Sequence, residues 1–204
     1  MRERRTPGIG PLLCLTAAAL LSASAARSED DQGQYAVRGA GLINCALFVQ
    51  ARAARDDAYL VVAAWVDGYV TGINQHAQDT YDVLSFEGTE LLMAVVDEHC
   101  QRNPADPVFG VLTKLFEQLW PDRLTSRSDK VPVNVGERQA QHYVELIERM
   151  QRALSARAFY AGPIDGEMSP PTVEALKRFQ ASIAFEATGF PDQTTLWRLL
   201  RKDD

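Results

Sequence analysis

Phe159-Tyr160-Ala161-Gly162-Pro163-Ile164-Asp165-Gly166 reads as a tight loop joining two amphipathic helices, and the segment through Leu199 completes a three-helix unit around it. Gly162 and Gly166 tolerate positive φ, Pro163 fixes a turn, and the Asp165 carboxylate can bond back to nearby backbone N–H groups. The loop ends one helix and prepares the next. It is also the stretch that points most clearly to a class of ligand.

Working outward, the preceding helix is expected from about Gln139 to Arg157, because Val144, Ile147, Gln151 and Leu154 recur at helical spacing. After the loop, Ser169-Pro170-Pro171-Thr172 restarts the chain: Ser and Thr are capping residues and Pro suits a first turn. Val173, Leu176 and Phe179 form the stripe of that second helix. Gly189 and Pro191-Asp192 repeat the pattern of break and cap, with Asp192 as N-cap, Thr195 at N3, and Leu196, Leu199 and Leu200 facing inward. Spacing assigns Leu154, Ile164, Leu176, Phe179 and Leu196 to a core.

In order, the motif is Leu146 with Gln151 and Leu154, then Tyr160-x-Gly162-x-Ile164-Asp165-Gly166, then Thr172-x-x-Ala175-Leu176-x-x-Phe179-Gln180, then Thr188-Gly189-x-x-Asp192-x-x-Thr195-Leu196-x-x-Leu199. It resembles the peptidoglycan-binding domain carried by many wall hydrolases and lytic transglycosylases. The resemblance implies a three-helix module over residues 138–204, peptidoglycan as partner, and a shallow groove near the loop with Tyr160, Asp165, Glu167 and Thr172 on its rim. One departure stands out. Glu167-Met168-Ser169-Pro170 replaces a turn that commonly contains glycine in that family.

Upstream, Ser126 to Glu137 is polar, contains Pro132 and lacks helical period, so it reads as a semi-extended linker. Residues 35–125 read as four helices: Leu42 to about Arg55, Ala58 to Gln75, Glu87 to His99 with Thr89 as N-cap, and a last one restarted by Asp106-Pro107 and closed by Pro121. Gly68 and Gly72 would lie on one helix face and admit a close neighbour. Cys45 and Cys100 are an even pair once Cys14 is removed with a leader. An exported chain would oxidise them to one disulfide closing about 56 residues, worth roughly 4 kcal/mol; two buried free thiols are the alternative.

The cysteine in the first helix, the Ala64-Trp65-x-x-Gly68-Tyr69-x-x-Gly72 core and the second cysteine followed by Asn103-Pro104 resemble the HdeA-like helical family. That family includes periplasmic acid-stress chaperones and related immunity proteins. The resemblance implies a disulfide-stapled domain that binds another protein. The fold class expected for the whole is all-α, with two small helical domains.

At the N-terminus, Met1-Arg2-Glu3-Arg4-Arg5 is a basic n-region, Pro11 to Ala23 a short apolar run, and Ala23-Ser24-Ala25 a cleavage pattern. Export to the periplasm with cleavage near Ala25 follows, leaving no membrane anchor. Of the net charge of −6, residues 1–25 carry +2, so the mature chain carries −8. Residues 35–125 hold 12 acidic and 6 basic side chains, while residues 126–204 hold 11 of each. That balance makes nucleic acid a poor partner.

Catalytic chemistry has no visible carrier. His76, His99 and His142 sit apart, none with a second ligand at metal-binding spacing except Cys100, assigned to the disulfide. Ser85 has no Gly-x-Ser-x-Gly context. Asp79, Asp82, Glu87 and Glu90 lack the order of an EF-hand loop and read as a solvated face. No cofactor, metal or catalytic residue is expected. The reading is a non-catalytic exported protein that associates with peptidoglycan and, through its N-terminal helices, with an unidentified periplasmic protein. An acid-stress chaperone and a wall hydrolase with an unrecognised site are the alternatives.

Overall fold

The Asn44 side chain accepts a hydrogen bond from the Leu47 N–H at 3.0 Å and so caps α1 (Cys45–Ala54). Asp56 caps α2 (Asp57–His76) in the same way, accepting from the Tyr59 N–H. α3 (Thr89–Arg102) starts after Gly88, so Gly88 and not Thr89 holds its N-cap position, and α4 (Val108–Leu119) starts after Pro107, one residue beyond its expected start. This computed structural model describes Gln32 and residues 34–201. The expected leader, residues 1–25, and its cleavage point lie outside the described residues. No described helix is long and apolar enough to cross a membrane.

The four helices enclose a core of Phe48, Tyr59, Val66, Leu92, Val96 and Leu112, among others. Cys45 and Cys100 are bonded within it, with their Cα atoms 4.7 Å apart, so the bridge ties the start of α1 to the end of α3. The free-thiol alternative falls. Gly68 and Gly72 do not mediate close packing: a Cβ at either would meet nothing within 4 Å. The close approach is made by Trp65 of the same helix, whose indole lies against Gly41 and donates Nε1–H to the Arg38 carbonyl at 2.7 Å.

The acidic residues before α3 are not a uniformly solvated face. Asp82 accepts from the Asn74 side chain, the Leu84 N–H and the Tyr143 hydroxyl, the last at 2.9 Å. Burial and the Asp82 carboxylate together push the Tyr143 hydroxyl well above the usual phenol range. The Glu87 side chain is fully buried; it accepts from the Ser85 and Phe86 N–H groups and pairs with Arg201. Arg201 also pairs with Asp122. Glu87 and Arg201 are at low exposure and each has a charged partner, which is what burial of charge requires.

Residues 126–143 correct the sequence reading most. β1 (Lys130–Val135) and β2 (Arg138–Tyr143) form an antiparallel hairpin in which Lys130 faces Tyr143 and Val135 faces Arg138. Gly136 turns the chain at φ 60°, as the first residue of a two-residue loop requires. The stretch expected to be a linker is thus half of a sheet, and the helix expected from Gln139 starts only at Val144. Val133 and Tyr143 anchor the hairpin by burial in the second core.

α5 (Val144–Ala156), α6 (Pro170–Ser182) and α7 (Gln193–Leu200) follow. Leu146, Ile147, Met150, Leu154, Leu176 and Leu196 are its fully enclosed side chains. Asp192 caps α7 as expected, accepting from the Thr195 N–H at 2.9 Å. Ile164 departs from its assignment to the core: it is 37% exposed, because the loop turns it outward. The result is an all-α fold with two helical cores and one hairpin, and from Val37 onward the chain forms one compact unit.

Candidate functional site

The loop between α5 and α6 is built around Gln151, which has no exposed surface. Its Oε1 accepts from the Asp165 and Gly166 N–H groups, both at 3.0 Å. Its Nε2 donates to Asp165 Oδ1 at 2.8 Å, to the Glu167 carbonyl at 3.1 Å and to Thr172 Oγ1 at 3.3 Å. A buried amide in an apolar helix stripe is costly unless all its capacity is used. Here it is used, and the loop is pinned as a result. Gly166 sits at φ 72°, with Val144 directly beneath it.

The same device recurs one helix later. Gln180, also buried, accepts from the Gly189 N–H at 2.7 Å and donates to Thr188 Oγ1, the Phe190 carbonyl and Thr195 Oγ1. Gly189 has φ 71° and lies over Val173. Each unit has a Val seven residues before its Gln and a Thr six residues after its Gly: Val144, Gln151, Gly166 and Thr172, then Val173, Gln180, Gly189 and Thr195. The sequence carries this repeat, which inspection of stripes and breaks alone passed over.

The two turns differ in what they show to solvent. Beside the first lies an open groove of about 550 Å³, bounded on one side by Asp165 to Ser169 and on the other by Val131, Pro132, Val133 and Asn134 of β1, with Val144 and Ile147 below. Asp165 and Glu167 are exposed at its edge. The Gln151 amide and then the Glu167 N–H hold the Asp165 carboxyl below its ordinary value. The departure at Met168 is absorbed locally: Met168 packs against the second core, and Ser169 stands as the extended N-cap of α6, its hydroxyl 3.1 Å from that of Thr172.

Of the four residues expected on the rim, the structure places Asp165 and Glu167 there. Tyr160 and Thr172 are buried beneath the loop. The Tyr160 hydroxyl donates to the Pro163 carbonyl at 2.9 Å, and the Thr172 hydroxyl lies within 3.3 Å of the Tyr160 hydroxyl. Both shape the loop. The wall opposite them, β1, was missed because its residues read as linker.

Among the described residues no group of three or more His, Cys, Asp or Glu side chains is placed to hold a metal ion. His142 faces inward from β2, where burial lowers its pKa and its Nε2 has no hydrogen-bond partner among the described residues. His76 is exposed at the end of α2, and His99 pairs with Asp106 at 2.8 Å.

Residues 144–199, from the first residue of α5 to near the end of α7, match the family described as "Putative peptidoglycan binding domain". The match supports a peptidoglycan-binding domain in this part of the chain and peptidoglycan as a partner. It starts after the hairpin, so β1 and its side of the groove lie outside the matched residues. Neither the curated proteins nor the solved structures offer a match. The resemblance of residues 35–125 to the HdeA-like family gains no support from these comparisons.

Proposed function

We propose that this is an exported, periplasmic, non-catalytic protein. It associates with peptidoglycan through the groove beside Asp165–Ser169 and binds another protein through its N-terminal helices. The family match over residues 144–199, with the Asp165–Ser169 side and the floor of the groove on that segment, carries the first half. The groove is wide and shallow, with carboxylates on one side and an apolar floor, a form that suits a polymer better than an enclosed small molecule.

The second half rests on the surface of α1 and α2. Leu42, Leu47, Leu60 and Val61 are 66%, 54%, 61% and 59% exposed, and Leu47 and Val61 line a largely apolar trough of about 760 Å³ together with Ala51, Ala54 and Ala58. Exposed apolar surface of this extent is typical of a protein-docking face. The HdeA-like motif in the same helices favours the same use. The leader over residues 1–25 puts such a protein in the periplasm, where the wall is accessible and the Cys45–Cys100 bridge is stable.

Co-sedimentation with purified sacculi tests the wall half: the full chain is expected in the pellet and absent from a mock pellet without sacculi. A chain that stays in the supernatant overturns it. The supernatant of the same incubation is expected to contain no released muropeptides, and their release would overturn the non-catalytic reading. Periplasmic cross-linking tests the other half. Leu47→Lys with Val61→Lys is expected to remove an adduct formed by the wild type, and an unchanged adduct pattern would contradict it.

A further inference from the structure

The hairpin has a free edge, and that edge forms one wall of the groove. The Val144 N–H donates to the Asp129 carbonyl at 2.9 Å, in register with the Lys130–Tyr143 pairing. Hydrogen bonding alternates along an antiparallel ladder, so Val131, Val133 and Val135 turn their backbone groups toward β2. Lys130, Pro132 and Asn134 turn theirs outward. Four consecutive β1 residues, Val131 to Asn134, line the groove, as an edge does and a face does not.

We propose that this edge and the Asp165–Glu167 rim together take an extended peptide carrying a free ammonium group, which lies along β1 and hydrogen-bonds to its outward backbone groups. The inference rests on the wall-binding reading and names which part of the polymer the groove holds: the amine-bearing peptide rather than the sugar. Three observations point that way. The first is the edge itself, because an unpaired strand in a groove is a template for another strand. The second is charge: the lining contains two carboxylates, Asp165 and Glu167, and no cationic side chain. A carboxylate-walled groove selects an ammonium, and bare sugars offer none.

The third is Pro132. It has no N–H, so the outward edge offers the Pro132 and Asn134 carbonyls as acceptors but only the Asn134 N–H as a donor between them. An acceptor-rich edge matches a donor-rich guest. It pairs poorly with a second copy of itself, whose β1 would bring another proline. The apolar floor of Val144, Ile147 and Met168 accepts the apolar groups of a peptide laid over it.

The test uses the full-length ¹⁵N-labelled protein and three probes: an N-acetylated, C-terminally amidated L-Ala–γ-D-Glu–L-Lys peptide whose only amine is the lysine ε-ammonium, its ε-N-acetyl form, and the N-acetylglucosamine–N-acetylmuramic acid disaccharide. The free-amine peptide is expected to shift the Asn134 amide resonance and slow its hydrogen exchange, with the acetylated peptide weaker by about fivefold, the scale of one exposed charge pair. Glu167→Gln is expected to abolish the difference between the two peptides while leaving the amide spectrum of the free protein otherwise unchanged. If the acetylated peptide or the disaccharide binds as well as the free amine, or Asn134 does not respond, the inference is overturned. Sacculus retention measured on the same protein separates the two claims. Retention without the peptide effect removes the peptide assignment alone, whereas loss of retention removes the wall reading and the peptide assignment with it.

Discussion

The turn after α5 and the turn after α6 share one frame and differ on their surfaces. In each, a buried glutamine pins a glycine of positive φ and a threonine of the next helix. Where the first turn has Asp165 and Glu167 flanking its glycine, the second has Thr188 and Phe190. Glu167 is exposed, whereas Phe190 is buried and closes the second turn against the core. The shared positions are therefore structural, and the differing ones mark where a ligand can be met. Only the first turn has the β1 edge across a groove from it.

Removing the two glutamines should separate the frames most strongly. Gln151→Leu strands two loop N–H groups and is expected to cost about 4 kcal/mol, while Gln180→Leu strands one and costs about 2 kcal/mol. Urea unfolding of the two variants checks this, and equal losses would break the asymmetry. Next in size are the glycines. Gly166→Ala and Gly189→Ala are each expected to lose about 2 kcal/mol through positive φ and crowding. Gly189→Ala should lose more, because its Cβ would lie 2.9 Å from the Val173 carbonyl, against 3.2 Å from the Val144 carbonyl at Gly166.

A smaller effect comes from the titration of Asp165. The Gln151 amide holds the Asp165 carboxyl below its ordinary value in the folded chain. A group depressed by folding contributes stability that is fully present above its unfolded pKa and is lost as pH falls through the folded value. The melting-temperature advantage of wild type over Asp165→Asn is therefore expected to be constant above about pH 5 and to shrink as the pH drops further. A gap independent of pH would show that the carboxylate is not held by its loop. The effect is modest because Asp165 is exposed.

Much of this was legible in the sequence. Helical periodicity placed α2, α4 and α6 closely, and the caps at Asp192 and Ser169 fell where the residue types put them. The disulfide was expected from an even cysteine count in a chain read as exported, and Cys45 and Cys100 are bonded. The hairpin was not legible. Val131, Val133 and Val135 alternate at strand period, but Pro132, Asn134 and Gly136 between them are linker-like residues, and Gln139 and Gln141 of β2 carry no apolar signal. Its strands are fixed by tertiary burial of Val133 and Tyr143, which no local window contains. Tyr160 and Thr172 were expected on the rim from the family resemblance; their hydroxyls are spent on the loop itself. Asp82 and Glu87 looked solvated because Tyr143 and Arg201, their partners, are far away in sequence.

The central claim is that the first turn, and not the second, meets the wall. Glu167 and Glu186 are both exposed glutamates, one in each turn, and Glu186 makes only a surface pair with Arg138. Replacing either with lysine changes the charge equally. Sacculus co-sedimentation of the full chain should fall sharply for Glu167→Lys and remain at the wild-type level for Glu186→Lys. Equal retention of the two variants, whether both bind or both fail, would contradict the claim.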